Sequence, residues 1–210
     1  MKPRWHANKG FTLVELLVAS TVMTIVLTSV CGVYFTVARG WERQQGEADA
    51  LGATSRACAR LNDYISQAVS ATVLTRFRAN DTLAVNLPAD TANGGIYVPT
   101  WNGSTFTCRS GNWIVFYLSD TSGSYSRQGD ILWAATMSWT NFPSSVVPGQ
   151  SWSLERAGGP GRITPLSTLQ FQLTSDTKPK VTVAVSSSYK LNGTYKSLSL
   201  TTAVCLRNAP

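Results

Sequence analysis

Glu15 is the residue whose surroundings demand a chemical explanation. It is the single charged side chain in the run from Phe11 to Ala38, FTLVELLVASTVMTIVLTSVCGVYFTVA. On insertion scales, a charged group such as Asp at the centre of a membrane helix costs about 2.5–3.5 kcal/mol, so it sits near an interface or has a partner. Glu15 stands near the start of the run, and one reading is an interfacial side chain reaching water. The second reading needs a cation, and the run itself supplies none. A cut after Gly10 would create one, the free α-amine of Phe11. Within one straight helix that amine and the Glu15 carboxylate lie about a turn apart. Between two helices staggered by a turn they can meet directly and neutralise each other in lipid. On the first reading Glu15 is solvated at an interface, and on the second it forms an ion pair between two helices.

Other reactive groups are sparse. The one histidine, His6, precedes the apolar run, so the rest of the chain has no base for Ser–His or Cys–His nucleophile activation. Asp81, Asp90, Asp120, Asp130 and Asp176 are scattered, which suits neither a carboxylate pair for hydrolysis nor a calcium site. Gly158-Gly159-Pro160-Gly161 lacks the lysine and the strand–turn–helix setting of a phosphate loop and reads as a turn. No catalytic residue, metal or cofactor is assigned. Of the four cysteines, Cys31 and Cys58 fall on helical segments and read as small apolar residues. Cys108 and Cys205 both fall in strand-rich sequence and form the candidate disulfide, given an oxidising compartment.

The elements that must position Glu15 follow from patterning. The run of 28 residues is long enough to cross a hydrocarbon core of about 30 Å. It also lacks the short apolar region followed by a small-residue cleavage site that marks a secretory signal peptide. Lys2, Arg4 and Lys9 precede it, and Arg39 and Arg43 follow, a lean towards a cytoplasmic N-terminus. From Arg39 to Leu74 proline is absent, and Leu51, Thr54, Cys58, Leu61, Ile65, Ala68 and Val69 recur at three- and four-residue spacing. That spacing predicts an amphipathic continuation of the helix with one face on a domain. Gly32, Gly40, Gly46 and Gly52 should loosen it, each by about 1 kcal/mol relative to Ala.

Beyond Leu74 the texture changes. Turn residues gather at 80–81, 90–95, 122–124 and 158–161, and strands are expected at 83–87, 96–98, 113–118, 131–139, 169–173, 180–185 and 197–206. Alternation in Gln170–Leu173 and Val181–Val185 suits a sheet with one wet face. Strands do not alternate with helices, which argues against a doubly wound enzyme fold. The net charge of +7 would fall to +4 if the stretch carrying Lys2, Arg4 and Lys9 were removed, and it is dispersed, weak support for a nucleic-acid partner. Trp101, Trp113, Trp133, Trp139 and Trp152 with Arg109, Arg127, Arg156 and Arg162 could form an aromatic–basic surface for DNA. The favoured reading places most of these tryptophans in the core or in subunit contacts.

The string Lys9-Gly10-Phe11-Thr12-Leu13-Val14-Glu15-Leu16-Leu17 resembles the type IV prepilin cleavage and methylation motif shared by pilins and type II secretion pseudopilins. The resemblance implies cleavage between Gly10 and Phe11 by prepilin peptidase, N-methylation of Phe11, and pairing of Glu15 with a neighbouring subunit's N-terminus. Arg39-Gly40-Trp41-Glu42-Arg43 and Arg60-Leu61-Asn62-Asp63-Tyr64-Ile65 are similar to J-type minor pseudopilins. Thr201-Thr202-Ala203-Val204-Cys205-Leu206-Arg207-Asn208 is similar to the close of W-type minor pilins. The pair of late cysteines found in many major pilins is absent, since only Cys205 lies late.

The expected architecture is therefore α+β and pilin-like. A leader (1–10) precedes a transmembrane helix (11–38) and its amphipathic continuation (39–74), packed on an antiparallel β-rich domain (75–210). The implied partners are other pilin or pseudopilin subunits, prepilin peptidase, the inner-membrane assembly platform and membrane lipid. The implied location is a bacterial inner membrane, with the β-rich domain periplasmic or extracellular. The alternatives are a membrane-anchored binding protein, such as a DNA-uptake pilin, and a plain single-pass protein that never polymerises.

Overall fold

The computed structural model describes residues 12–77, 80–89, 100–101, 103–104, 106–107, 110–137, 151–153, 166–175, 178–191 and 193–207. The chain divides into two units, Met1–Gln45 and Gly46–Pro210. One helix, α1 (Leu13–Gln67), belongs to both and stays α-helical through Gly32, Gly40, Gly46 and Gly52.

In the first unit α1 is long and apolar enough to act as a single-pass membrane anchor. Each residue from Thr12 to Val37 is exposed, the large apolar side chains included. So extensive an apolar surface is not stable in water and marks a segment meant for lipid or protein partners. The polar residues of this stretch are neutralised locally. All six Ser and Thr hydroxyls between Leu13 and Ala38 donate to carbonyls one turn back. Ser20 bonds Leu17, Thr21 bonds Val18, Thr24 bonds Ser20, Thr28 bonds Thr24, Ser29 bonds Ile25 and Thr36 bonds Gly32, at 2.7–2.9 Å. Such bonds let a hydroxyl sit in hydrocarbon without an unsatisfied donor.

In the second unit α1 lies on a sheet. Its buried residues are Ala50, Ala53, Thr54, Ala57, Cys58, Leu61 and Ile65. Leu51, expected on this face, is 51% exposed, and Ala50 is buried in its place. Small side chains carry the stripe from Ala50 to Cys58, and the larger Leu61 and Ile65 carry it from there. Burial pushes the Cys58 thiol pKa up, as expected of an inert core cysteine.

The helix ends at Gln67, short of the expected Leu74. Ala68 closes the last turn with a bond to the Ile65 carbonyl (3.1 Å), and Val69 N–H then donates to Asn86 O (2.8 Å). From there Ser70–Phe77 forms β1, antiparallel to β2 (Asn80–Pro88), with Ser70 opposite Asn86. Thr72, Val73 and Thr75 are β-branched and fit a ladder better than a helix.

The remaining strands are β3 (Thr100–Trp101), β4 (Phe106–Thr107), β5 (Ser110–Ser119), β6 (Ile131–Met137), β7 (Ser151–Ser153), β8 (Leu166–Ser175), β9 (Pro179–Leu191) and β10 (Thr194–Cys205). The main sheet runs β10-β9-β8-β2-β5-β6-β7, with β1 also on β2, and β3 pairs with β4 separately. The expected strand at 96–98 lies outside the described residues. Neighbours are antiparallel except β2 and β8, which meet in parallel at Asn80 and Leu169. Side chains reinforce that junction: Leu169 N–H donates to Asn80 Oδ1 (3.0 Å) and Phe171 N–H to Asp81 Oδ2 (3.2 Å).

Among the described residues two apolar clusters hold the domain. The larger packs Leu61, Ile65, Leu83, Phe116, Leu132, Leu169, Val183 and others between α1 and the sheet. The smaller, formed by Ala84, Val115, Tyr117, Ile131, Trp133 and Ala135, includes Trp113 and Tyr125 at its margin. The middle strands therefore bury both faces, and Trp113–Leu118 reads as an unbroken apolar run for that reason. In β9 alternate residues Val181, Val183 and Val185 are buried, the pattern of a half-wetted strand.

The β5–β6 connection is tied down on all sides. Tyr117 Oη donates to Gly123 O (2.8 Å), Ser119 Oγ to Ser124 O (2.6 Å) and Trp133 Nε1 to Asp120 O (3.0 Å). Bonds from Ser122 and Arg127 hold the Asp120 carboxyl below its ordinary pKa, the Ser122 hydroxyl contributing most. A lowered folded-state pKa adds stability that is complete above the unfolded value, about 3.9, and fades as pH drops through the folded one. Gly129 leaves no room for a side chain, since a Cβ there would lie 2.1 Å from Asp120 N and Ser119 C. Gly129→Ala is expected to lower stability by about 1–3 kcal/mol through backbone displacement, read as an earlier denaturant midpoint. An unchanged midpoint would show that the loop adapts freely.

Candidate assembly site at the helix N-terminus

The first turn of a helix leaves backbone N–H groups without intrahelical acceptors. Here Thr12 stands just ahead of Leu13 as the N-cap, and Glu15 is the third helical residue. Thr12 N–H and Thr12 Oγ1 both donate to Glu15 Oε2, each at 2.9 Å. In return Glu15 N–H donates to Thr12 Oγ1 at 3.3 Å, and Leu16 N–H donates to Thr12 O at 3.2 Å. This is a capping box, in which the N-cap and N3 side chains satisfy each other's backbone donors. The Glu15 charge also faces the positive end of the helix dipole.

Glu15 is thus supplied with hydrogen-bond donors inside its own chain, a partner the ion-pair argument did not include. The signal was present in the spacing Thr12-x-x-Glu15, the usual capping-box pattern ahead of an apolar run. Both residues are exposed. One Glu15 oxygen, Oε1, takes no part in the box, which leaves the carboxylate an accepting atom for a cation from outside.

Gly10 and Phe11, the expected cleavage junction, lie outside the described residues, among which Glu15 bonds Thr12. Cys205 is an exposed free thiol on β10, and Cys108 lies outside the described residues. No group of three or more His, Cys, Asp or Glu suited to a metal occurs among the described residues. Trp133 is buried and Trp113 packs on the smaller core cluster, while the side chains of Trp101, Trp139 and Trp152 are not among those described. Arg127, from the same suggested aromatic–basic surface, is exposed and pairs with Asp120 at 3.3 Å.

Residues 5–30 match the family model for the prokaryotic N-terminal methylation motif. No curated protein and no solved structure matches the chain. A methylation motif thus opens a long apolar helix whose later turns pack on an antiparallel β-rich domain, the α+β architecture of type IV pilins and pseudopilins.

Proposed function

We propose that this chain is a minor pilin or pseudopilin, a structural subunit of a type IV pilus or a type II secretion pseudopilus. The observation that carries the reading is the match of residues 5–30 to a methylation motif at the start of an apolar helix with a capped, charged first turn. In this reading residues 1–10 are a leader, and prepilin peptidase cuts between Gly10 and Phe11 on the cytoplasmic face. The new Phe11 amine is methylated while the helix waits in the membrane. Assembly then pairs the Glu15 carboxylate with the N-terminus of another subunit, and apolar helices form the core of the filament. Contacts between copies are heterologous and do not close, which gives a filament and not a ring. The β-rich domain supplies specificity for neighbouring subunits.

The test is the intact mass and N-terminal sequence of the protein from its host's membranes. A chain beginning at N-methylated Phe11 is expected. A chain that keeps Met1 in cells with active prepilin peptidase would refute the maturation pathway and restore the plain membrane-anchor reading. The same mass, taken with and without reductant after thiol labelling, reads whether Cys108 and Cys205 are joined.

A further inference from the structure

The two ends of the main sheet are finished differently. One end is β7, three residues long. The other is β10, twelve residues long, in unbroken register with β9 from Thr194 opposite Leu191 to Cys205 opposite Lys180. A strand in an antiparallel ladder turns its backbone groups alternately towards the two sides. Among the described residues β10 has a strand on one side alone, so about half of its N–H and C=O groups face outward.

Proteins blunt such an edge with a short strand, a bulge, a proline or charges. β10 has no break in register and no proline, and its one charge, Lys196, stands near its start and leaves Ser197–Cys205 without any. Its side chains sort cleanly by face. Ser197, Ser199, Thr201, Ala203 and Cys205 are exposed, whereas Leu198, Leu200, Thr202 and Val204 alternate with them and are half-buried. Leu200 and Val204 pack against the main core, and Asn62 on α1 reaches Thr202 at 3.5 Å. The core therefore runs out to the rim of the sheet and leaves part of its last apolar row uncovered.

We propose that β10 is a strand-addition edge, occupied in the assembled filament by an extended segment of a neighbouring subunit. This rests on the filament reading above. A row of alternating backbone donors and acceptors is matched by another extended backbone, and not by a helix, a lipid or a nucleic acid. The near absence of charge selects an uncharged strand, and the alternation of side chains selects its pattern. Apolar residues would continue the row of Leu198, Leu200 and Val204, and small or hydroxylated residues would continue the row of Ser199 and Thr201.

The experiment compares full-length variants in the host. Thr201→Lys puts a charge on the open edge. Gln170→Lys puts one on the same face and in the same cross-strand rank, through Ala184, but two strands inward on β8. Each variant is checked for wild-type melting in detergent and then for its amount in sheared filaments. The expected result is a fall of about tenfold or more for Thr201→Lys, with Gln170→Lys at the wild-type level. Amide exchange in β10 of the unaltered chain should also be slower in filaments than in detergent, a readout that stands alone if the lysine variant fails to fold. Incorporation of Thr201→Lys at the wild-type level overturns strand addition while leaving the filament reading intact, as does unchanged β10 exchange. Equal loss in both lysine variants assigns the contact to the sheet face and likewise overturns it. Absence of the wild-type chain from filaments removes the functional reading and this proposal with it.

Discussion

Glu15→Ala is expected to yield a chain that enters the membrane and is cleaved, yet appears in filaments about a hundredfold less than the wild type. The estimate takes the cost of an unpaired charge in an apolar core, about 2.5–3.5 kcal/mol, and converts it at tenfold per 1.4 kcal/mol. Alanine removes two things, however: the acid that would meet a neighbour's amine, and half of the capping box with Thr12. Glu15→Gln separates them. Glutamine serves at the third helical position of a capping box as glutamate does, but it carries no charge. If the charge drives assembly, both variants should be depleted from filaments to a similar degree. If the cap is what matters, Glu15→Gln should assemble normally and Glu15→Ala should not. Thr12→Val completes the set by removing the hydroxyl and keeping the acid, with an expected cost of about 0.5–2 kcal/mol to the start of the helix. The measurement is the ratio of filament to membrane protein for each variant, with the N-terminus of each confirmed by sequencing. Wild-type assembly of Glu15→Gln would sink the charge-pairing role.

Leu61→Ala should be the most destabilising simple truncation on the helix, by about 2–5 kcal/mol. Leu61 is fully buried between α1 and the sheet, in a cluster with Ile65, Phe116 and Val183. Its loss removes apolar burial and leaves a cavity that strands on one side and a helix on the other cannot readily close. Leu51→Ala is the matched control. Leu51 is half exposed, and its truncation should change stability by about 0.5 kcal/mol or less. Denaturant melts of the detergent-solubilised full chain would measure both. A larger effect at Leu51 than at Leu61 would mean that the helix presents a different face to the sheet.

That comparison also shows where sequence patterning reaches its limit. The apolar run to Ala38 was legible because its length and hydrophobicity leave few alternatives, and the motif around Glu15 because its residue types are so restricted. The amphipathic face was legible in period and in phase, since Thr54, Cys58, Leu61, Ile65, Ala68 and Val69 are buried as expected, whereas Leu51 is exposed and Ala50, Ala53 and Ala57, to which hydrophobicity gives little weight, complete the stripe. The end of the helix was misplaced by seven residues for a related reason. Ser70–Leu74 can follow a helical period, and only the distant partner strand β2, through Asn86 and Val85, settles it as β1. Strands β5, β8, β9 and β10 were visible as apolar or alternating runs. The three residues of β7 and the Asn80 and Asp81 bonds to β8 were not, since both depend on tertiary neighbours. At the assembly site Glu15 stood out by its charge, whereas Thr12 was hidden among many threonines although its spacing announced the cap.

The self-bonded hydroxyls along α1 bear on how such a helix could leave a bilayer. Because Ser20, Thr21, Thr24, Thr28, Ser29 and Thr36 carry their acceptors with them, exchanging lipid tails for protein side chains breaks none of these bonds and requires no new ones. These hydroxyls are satisfied whether lipid or protein surrounds them. Were the apolar stretch from Leu13 to Ala38 to pass from lipid to protein, its electrostatic cost would fall on Glu15 at one end and not along its length.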